Sequence, residues 1–309
     1  MMNRRQFLAT ATAGAACVSL GWPRRAAWAA PAAPRDPLRL AFFTDIHTRV
    51  EWDTPDALRL AAERINAQHA DLIICGGDCI TDGFQSTRAA VEHRWQTYRE
   101  HLHDRLQPSA VAVVGNHDLV GAMPQGGEAP EPDPRAAFRE ALGVTHTYRS
   151  FDAGGYHVIL LDSVEITRDE LKYRGHIDAA QLAWLKGDLA AVDPATPIVL
   201  VTHMPLLTSF YQATEGQEKP APRNRVIVNN RDVLTAFEGH RLHLVLQGHL
   251  HVNELLRWRE TTFITGGAVC GKWWRGAWHG TEEGFGVVTL RPDRVEWEYV
   301  DLGWTARRP

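Results

Sequence analysis

Short apolar runs, each ending abruptly in a polar segment, recur along most of the chain. Such continuous runs predict strands that are buried on both faces, as in a parallel sheet covered by helices. The runs that we interpret as strands cover residues 38–44, 71–75, 111–114, 147–151, 156–162, 198–201 and 242–246.

Segments with helical spacing separate these runs, at residues 55–67, 86–105, 135–141, 178–190 and 230–238. Thr54 is the expected N-cap of the first helix and Pro55 its first residue. The tail, residues 254–302, alternates apolar and polar positions, which predicts an antiparallel meander with one exposed face. Strands that alternate with helices predict an α/β fold, and we interpret residues 38–309 as one domain.

Two segments without regular periodicity interrupt this order, residues 121–134 and 212–224. Both are rich in Gly, Pro and charge, and each follows a histidine-bearing loop. Long irregular loops inside compact domains are often lids or binding loops. Simple surface insertions are the equally weighted alternative.

The first 29 residues are typical of a targeting segment. Arg4 and Arg5 precede Phe7 and Leu8, and a mildly apolar run leads to a small-residue cleavage pattern ending at Ala29. This arrangement resembles a twin-arginine signal, and a Sec signal or a disordered basic terminus is the alternative. We therefore expect export through the twin-arginine machinery to the periplasm or outside the cell, with residues 30–37 as a linker. No second apolar stretch reaches the ~18 residues of a membrane span, so no stable membrane anchor is expected.

The overall charge argues against a polymer of nucleic acid as partner. The formal net charge is −4, and removing the four arginines of the targeting segment leaves 29 basic against 37 acidic residues, a net charge of −8. Non-specific nucleic-acid binding needs an excess of cations. Beyond the targeting segment, Cys75, Cys79 and Cys270 form no Cys-x-x-Cys pair, and buried free thiols are the simplest interpretation.

Polar motifs rich in Asp, His and Asn stand at the ends of five of the predicted strands. They are Asp45-Ile46-His47, Gly77-Asp78, Gly115-Asn116-His117-Asp118, Thr202-His203 and Gly248-His249-Leu250-His251. In open α/β sheets, ligands bind at the carboxyl ends of the strands. One such motif is often a turn or a helix cap, but five of them predict a common site.

The donor types in these motifs indicate metal ions. In an extended segment, residues i and i+2 point to one side, so Asp45 and His47 can reach the same ion. Carboxylate, imidazole and amide oxygen without thiolate suit Mn²⁺, Fe or Zn²⁺ rather than Cu(I), and contain too much nitrogen for Ca²⁺.

The order of the five motifs resembles that of the calcineurin-like metallophosphoesterase superfamily, and they span most of the chain after the targeting segment. The resemblance implies a four-layer α/β/β/α sandwich of two mixed sheets that holds two divalent metal ions (Mn, Fe or Zn). It implies that Asp45, His47 and His251 bind the first ion, that Asn116, His203 and His249 bind the second, and that Asp78 bridges both. His117 would contact the leaving group or a phosphoryl oxygen without binding metal, and Asp118 would orient His117.

The expected activity is hydrolysis of a small-molecule phosphoester. Two ions about 3.5–4 Å apart hold the attacking and leaving oxygens of an in-line displacement, and a hydroxide that bridges them attacks phosphorus. Binding without turnover is the alternative from another class, and a structural module is a further one. Buried polar groups without partners would destabilise such a module.

Departures from known subfamilies narrow the expected substrate. Asp82 stands where the protein phosphatases of this superfamily have a phosphate-binding Arg, and Asp118 stands where they have Glu. Thr81 stands where purple acid phosphatases have a metal-binding Tyr. The chain instead resembles bacterial members that act on cyclic nucleotides, glycerophosphodiesters or phosphomonoesters. We therefore favour a phosphodiesterase, with a phosphomonoesterase or nucleotidase as the alternative.

One further segment, Gly271-Lys272-Trp273-Trp274-Arg275-Gly276, is rich in aromatic and basic side chains. The two tryptophans could stack on a base or a sugar, and Lys272 and Arg275 could meet phosphate. Packing within the core and on the surface is the alternative.

Overall fold

The computed structural model describes residues 37–307, so the predicted targeting segment and all but the last residue of the predicted linker lie outside the described residues. Within this range the strands are β1 (Leu38–Phe43), β2 (Leu72–Cys75), β3 (Val111–Ala112), β4 (Arg149–Ala153), β5 (Tyr156–Leu160), β6 (Val164–Ile166), β7 (Tyr173–Gly175), β8 (Pro197–Val201), β9 (Arg241–Gln247), β10 (Glu254–Trp258), β11 (Thr261–Thr265), β12 (Gly284–Leu290) and β13 (Val295–Asp301). The helices are α1 (Thr54–Asn66), α2 (Arg88–His101), α3 (Ala136–Leu142), α4 (Ala179–Leu189), α5 (Phe210–Glu215) and α6 (Asn230–Ala236), with a 3-10 turn at His103–Arg105. None of these helices is long and apolar enough to cross a membrane.

Two mixed sheets contain most of the strands. The first has the order β13-β12-β1-β2-β3, and the second has the order β10-β11-β9-β8-β5-β4. Strands β1, β2 and β3 run parallel, as do β5, β8, β9 and β11, whereas the strands at the other edges are antiparallel. Strands β6 and β7 form a separate hairpin.

Alternate residues of the central strands belong to two different cores. Leu40 and Phe42 of β1 pack in a cluster with residues of β8 and β9, which places this core between the two sheets. Ala41 and Phe43 pack instead in a cluster with residues of α1 and α2 on the outer face of the first sheet. Because each sheet is buried on both faces, the predicted four-layer α/β/β/α sandwich is confirmed.

The predicted meander of residues 254–302 is wrong. The hairpin β10–β11 extends the second sheet, where β11 runs parallel to β9. The hairpin β12–β13 extends the first sheet, where β12 runs antiparallel to β1. An alternating pattern shows that one face of a strand is exposed, but it does not specify the neighbouring strand.

The start of α1 also differs from the prediction. Asp53, not Thr54, occupies the cap position, and its side chain makes no capping hydrogen bond. Thr54 is the first helical residue, and its hydroxyl donates to the carbonyl oxygens of Arg49 and Glu51, each at 2.9 Å. This hydroxyl therefore holds the turn before the helix instead of a helical amide.

The three cysteines of the described residues are free and buried, as predicted. The sulfur atoms of Cys75 and Cys79 lie 3.8 Å apart beneath the loop that follows β2. Cys270 lies elsewhere, with its sulfur 3.8 Å from Nδ1 of His251.

Candidate metal centre

The five polar motifs meet at one edge of the sandwich. Three of them follow the parallel strands β1, β2 and β3 of the first sheet, and two follow β8 and β9 of the second. The Asp45 carboxylate, which follows β1, accepts a hydrogen bond from the amide of His249, which follows β9, at 2.9 Å. The motif loops therefore join the two sheets directly above the inter-sheet core.

Several of the motif residues adopt the left-handed backbone conformation that non-glycine residues rarely visit. These residues have φ between 44° and 71°, and they are Asp45, His47, Asp78, His249 and His251. Such conformations cost about 1–3 kcal/mol each and concentrate at functional sites. The surrounding loops hold this strain, which turns the side chains toward a common centre.

Two glycines allow the loops to approach this closely. A Cβ at Gly115 would lie 2.2 Å from Oδ1 of Asp78, and a Cβ at Gly248 would lie 2.2 Å from Oγ1 of Thr44. Both distances are far below van der Waals contact. Any side chain at either position would push apart the loops that carry the candidate ligands.

Asp45, His47 and His251 form the first group of candidate ligands. Nε2 of His47 lies 3.1 Å from Nε2 of His251, which in turn lies 3.3 Å from Oδ1 of Asp45. Nε2 of His47 lies 4.0 Å from the same carboxylate oxygen. All three side chains are buried, and their polar atoms converge on one point.

Asp78 connects this group to a second one, formed by Asn116, His203 and His249. Oδ2 of Asp78 lies 3.5 Å from Nε2 of His47 and 3.3 Å from Nε2 of His203. The same His203 nitrogen lies 3.1 Å from Oδ1 of Asn116 and 3.2 Å from Nδ1 of His249. The structure therefore brings all seven predicted ligands together, with Asp78 between the two groups.

Backbone carbonyls fix which histidine nitrogens face the centre. His203 donates from Nδ1 to the carbonyl of Gly76 at 2.8 Å, and His251 donates from Nδ1 to that of Gly271 at 2.7 Å. His249 donates from Nε2 to the carbonyl of Asn224 at 3.0 Å. The opposite nitrogen of each ring then faces the centre, where it can bind an ion once it has given up its proton.

The electrostatics favour cations at this position. Burial alone would raise the pKa of Asp45, but neighbouring His251 brings it well below its usual range. Burial would lower the pKa of His203, but Asp78 raises it to about 9. Burial, followed by the charge of His203, lowers the pKa of His249 to about 3. The carboxylates are thus ionised and need positive charge beside them.

These residues fit divalent metal ions. Oδ1 of Asp45 is buried without a hydrogen-bond donor among the described residues. The facing nitrogens of His203 and His249 would repel each other at 3.2 Å unless a proton or a metal ion lay between them. Nitrogen and oxygen donors in this proportion suit Mn, Fe or Zn.

His117 lies beside the centre, but Asp118 does not orient it. A ring nitrogen of His117 lies within 4.8 Å of the nearest ligand atoms of His47 and Asp78. Nδ1 of His117 accepts a hydrogen bond from the amide of Asp82 at 3.0 Å. The neutral ring therefore carries its proton on Nε2.

The Asp118 carboxylate instead accepts hydrogen bonds from the backbone of two motif loops. Its Oδ1 accepts from the amides of Cys79 at 2.8 Å and Ile80 at 3.3 Å, and its Oδ2 accepts from the amide of Gly115 at 2.9 Å. The expectation that Asp118 orients His117 is therefore wrong, because backbone amides occupy both of its oxygens. Asp118 ties the Asp78 loop to the Asn116 loop.

The two adjacent tryptophans have different roles. Trp274 is buried, and its Nε1 donates to the carbonyl of His47 at 3.2 Å, so it belongs to the core and cannot stack on a ligand. Trp273 is half-buried, with its ring centroid 4.7 Å from that of His251. Arg275 lies over the ring of Trp52 at 5.6 Å. Of the expected stacking residues, Trp273 alone remains at the centre.

Two clefts open beside the candidate ligands. The aromatic cleft, of about 450 Å³, borders His249 and His251, and its walls include Phe210, Tyr211, Trp273, Trp278 and Arg225. The polar cleft, of about 290 Å³, borders Asn116 and His117, and its walls include Asp82, Gln85, Lys172 and Tyr173. A larger surface groove, of about 1000 Å³, borders α2 and α3 and contains none of the motif residues.

Sequence reasoning missed most of these cleft residues because no motif marks them. The sequence marks the segment 212–224 by its composition and by its place after a histidine-bearing loop. Asn224, at the end of this segment, accepts a hydrogen bond from His249. The structure thus places this segment at the candidate centre. The other irregular segment, 121–134, pairs with residues beside the polar cleft through the Met123 amide, which donates to the carbonyl of Phe84 at 2.9 Å.

Comparisons with known proteins agree with this arrangement. The model of the calcineurin-like phosphoesterase family matches residues 38–253. No curated protein sequence matches the chain. A dimetal phosphatase from Danio rerio is similar in structure, with a TM-score of 0.61 and 14% identity over 86% of this chain and 97% of that one.

Two further solved structures share the fold. A Staphylococcus aureus protein provisionally described as a 5′-nucleotidase has a TM-score of 0.52 and 14% identity over 86% of this chain and 54% of that one. GAP50, described as the anchor in the inner membrane complex of Plasmodium, has a TM-score of 0.50 and 15% identity over 87% and 86%. At such identities the likeness shows the fold alone.

The family match covers more than half of the chain, and its five motifs converge in the structure. The chain therefore belongs to the calcineurin-like phosphoesterase family. It is a metal-dependent phosphoester hydrolase.

Proposed function

We propose that the chain is a phosphodiesterase with a binuclear metal centre formed by Asp45, His47, Asp78, Asn116, His203, His249 and His251. The observation that carries the proposal is the pair of clefts on either side of the candidate ligands. A phosphodiester has two substituents on phosphorus, and each cleft offers room for one. A phosphomonoester would use only one of the two.

The substituent that leaves is assigned to the polar cleft. Divalent ions at a site of this kind polarise the phosphoryl oxygen and lower the pKa of bound water toward neutrality. His117 borders the polar cleft and, because Asp82 donates to its Nδ1, presents an Nε2 proton. That N–H can donate a hydrogen bond to the departing oxygen as negative charge develops on it, which makes His117 the candidate stabiliser of the leaving group.

The backbone holds most of the candidate ligands in place. Five of the seven have a hydrogen-bond partner in the backbone, such as the carbonyl of Gly76 for His203. Fixed donors and acceptors need no reorganisation during reaction, which is the usual source of electrostatic catalysis. For the native metals we propose Mn, Fe or Zn, on the donor types alone.

The test compares bis-p-nitrophenyl phosphate with p-nitrophenyl phosphate, using purified chain that has been stripped of metal and reloaded with Mn²⁺. We expect faster hydrolysis of the diester. Asn116→Ala should lower kcat/KM by at least about 100-fold, or about 2.7 kcal/mol, because it removes a candidate ligand. Gln96→Ala, which removes an exposed amide on α2, is the matched control and should have no effect.

Other outcomes decide between the alternatives. A clear preference for the monoester would replace the proposal with a phosphomonoesterase or nucleotidase. No turnover of either substrate, with two ions bound per chain, would favour a metal-holding binding protein. The Plasmodium anchor, which shares the fold, shows why turnover must be measured and not inferred from architecture.

A further inference from the structure

We propose that the aromatic cleft binds the nucleoside of a nucleotide phosphodiester, on the side of the phosphate that is retained. This inference rests on the proposed phosphodiesterase function and names its substrate class. It is drawn from the arrangement of rings and charge beside His251 and from the position of His117 on the opposite side.

A continuous row of aromatic rings leads away from the candidate metal centre. The Trp273 ring lies 4.7 Å from that of His251, and the Trp278 ring lies 6.1 Å from that of Trp273. His279 follows at 4.5 Å from Trp278, and Phe210 at 5.0 Å from His279. A nucleobase that is separated from the phosphate by one sugar would contact this row of rings.

A small buried cluster supports this row of rings. Tyr211, Leu250 and Val252 form a small buried cluster of their own, and Phe210 and Trp278 pack against it. Trp273 is fixed in a left-handed conformation with φ of 51°, next to Trp274, which is anchored in the core. The ring faces are therefore positioned before any ligand binds, which lowers the entropic cost of binding.

One cation stands between the rings and the centre. Asn224 accepts a hydrogen bond from the ring of His249, which places the next residue, Arg225, beside a candidate ligand. Asn224 lines the polar cleft and Arg225 the aromatic cleft, so this pair of residues separates the two. Arg225 is half-buried, and no ion pair of its guanidinium occurs within residues 37–307.

The positive charge of Arg225 affects the pKa of a tyrosine in each of the two clefts. Burial raises the pKa of Tyr173 to about 12, and the positive charge of Arg225 opposes that rise. Burial likewise raises the pKa of Tyr211, again against the charge of Arg225. An unpaired guanidinium in this place fits an anionic phosphoryl oxygen between the two clefts.

The position of His117 then assigns the two substituents. In an in-line displacement the attacking and leaving oxygens lie on opposite sides of phosphorus. The leaving oxygen belongs beside His117 in the polar cleft, so the aromatic cleft holds the group that stays on phosphorus. A cleft of about 450 Å³ is within the usual range for small-molecule sites.

The test uses two substrates with the same leaving group, the p-nitrophenyl esters of thymidine 5′-monophosphate and of ethyl phosphate. Stacking of one base contributes about 1–3 kcal/mol, so the thymidine ester should have a kcat/KM roughly 5- to 150-fold higher. Trp273→Leu and Trp278→Leu should each lower this ratio severalfold. Trp258→Leu, which replaces a tryptophan on β10 that is 47% exposed, is the matched control and should keep the ratio.

A binding measurement separates this inference from the proposed function. Calorimetric titration of the Mn²⁺-loaded protein should show tighter binding of thymidine 5′-monophosphate than of ethyl phosphate, and Trp278→Leu should reduce the difference severalfold. A ratio near one in the unaltered protein, or an unchanged ratio in both variants, would overturn the nucleoside assignment while leaving the phosphodiesterase intact. If neither ester is hydrolysed, the proposed function fails, and the titration alone tests whether the aromatic cleft binds a nucleoside. Tighter binding of the nucleotide would support that assignment, and equal binding of the two ligands would refute it.

Discussion

His117 and Asp118 are neighbours in the chain, yet their side chains act in different places. His117 is held by the Asp82 amide and borders the polar cleft, whereas Asp118 accepts hydrogen bonds only from backbone amides of two motif loops. Replacing the two residues should therefore give different defects. Replacing His117 should lower the rate of hydrolysis, and replacing Asp118 should lower the stability of the folded protein.

For His117→Ala we expect a loss that depends on the leaving group. A hydrogen bond aimed at a departing oxygen stabilises the charge that develops there, and losing one such donor costs about 10²–10³-fold. The variant should lose that much kcat on a phosphodiester that releases methanol and far less on the matching diester that releases p-nitrophenolate, because p-nitrophenolate needs little stabilisation to leave. Metal content should be unchanged. An equal loss on both esters would assign His117 to phosphate binding.

For Asp118→Asn we expect destabilisation. The new amide group would direct N–H bonds toward the amide of Gly115 or of Cys79, where a carboxylate now accepts. An unsatisfied buried donor costs about 1–3 kcal/mol, which urea unfolding of the metal-free protein would measure. Asp104→Asn, at an exposed ion pair with Arg99, is the control. A fall in kcat with unchanged stability would restore the role expected from the sequence.

At the scale of elements, the ligand motifs could be predicted because each follows a strand of continuous apolar residues. Such a strand is buried on both faces, runs parallel to its neighbours, and delivers its loop to a shared edge. The aromatic cleft could not be predicted in this way. Phe210 begins the short helix α5, whereas Arg225 and Trp278 come from irregular segments. The meeting of these three residues depends on packing that leaves no periodic signal.

The pairing of the strands in residues 254–302 also could not be predicted from the hydrophobic pattern. Strands β11 and β12 follow each other in the chain and enter different sheets. Their residues are mostly buried, whereas only β10 and β13 at the edges keep an exposed face. The hairpin β6–β7, with three residues in each strand, is too short for alternation to be recognised.

His157 on β5 links three elements and should make stability depend on pH. Its ring contacts Asp152 of β4 at 2.6 Å and Asp188 of α4 at 2.8 Å. Burial opposes the charged ring, but the two carboxylates raise its pKa above the usual 6.5. The folded state thus binds the proton more tightly than the unfolded chain. This stabilisation is complete below about pH 6.5 and is lost as the pH rises through the folded pKa.

We expect His157→Gln to destabilise the protein by about 3–5 kcal/mol at pH 6, because it removes the charged ring that faces the buried Asp188 carboxylate at 2.8 Å. The deficit relative to the unaltered protein should be smaller at pH 9, because the unaltered protein loses this stabilisation as the pH rises through the folded pKa of His157. Urea unfolding at both pH values measures it, with the exposed His146 replaced by Gln as control. A deficit that is the same at both values would mean that His157 does not change its protonation between them, which would contradict this prediction.

At the scale of the whole molecule, the candidate centre is where the two sheets are joined at one edge. Ligands from the first sheet (Asp45, Asp78) and from the second (His203, His249) meet above the inter-sheet core. Two carboxylates and several strained loops are concentrated there. Ions that bind only this folded arrangement stabilise it by mass action, about 4.1 kcal/mol at 1000 times Kd. Such a centre requires the fold to form before the ions bind tightly.

That order of events gives the predicted export route a physical reason. The targeting segment resembles one that exports folded proteins, so folding and metal loading would both precede export. Loading inside the cell would also decide which metals are bound, since the affinity of such a site alone would favour Cu²⁺ over Mn²⁺ or Fe²⁺. We therefore predict that protein recovered after export carries Mn, Fe or Zn.

Replacing Arg4 and Arg5 together by Lys should stop export and leave folded, metal-loaded protein in the cytoplasm. The same replacement of Arg24 and Arg25, which precede the cleavage pattern, is the matched control and should leave export intact. Cell fractionation and metal analysis of both fractions give the result. Export of the Arg4 and Arg5 variant at the normal rate would favour a Sec signal, through which the chain passes unfolded and acquires its metals outside. Exported protein that contains only copper would show that the affinity of the site, and not the compartment in which the protein folds, determines which metal is bound.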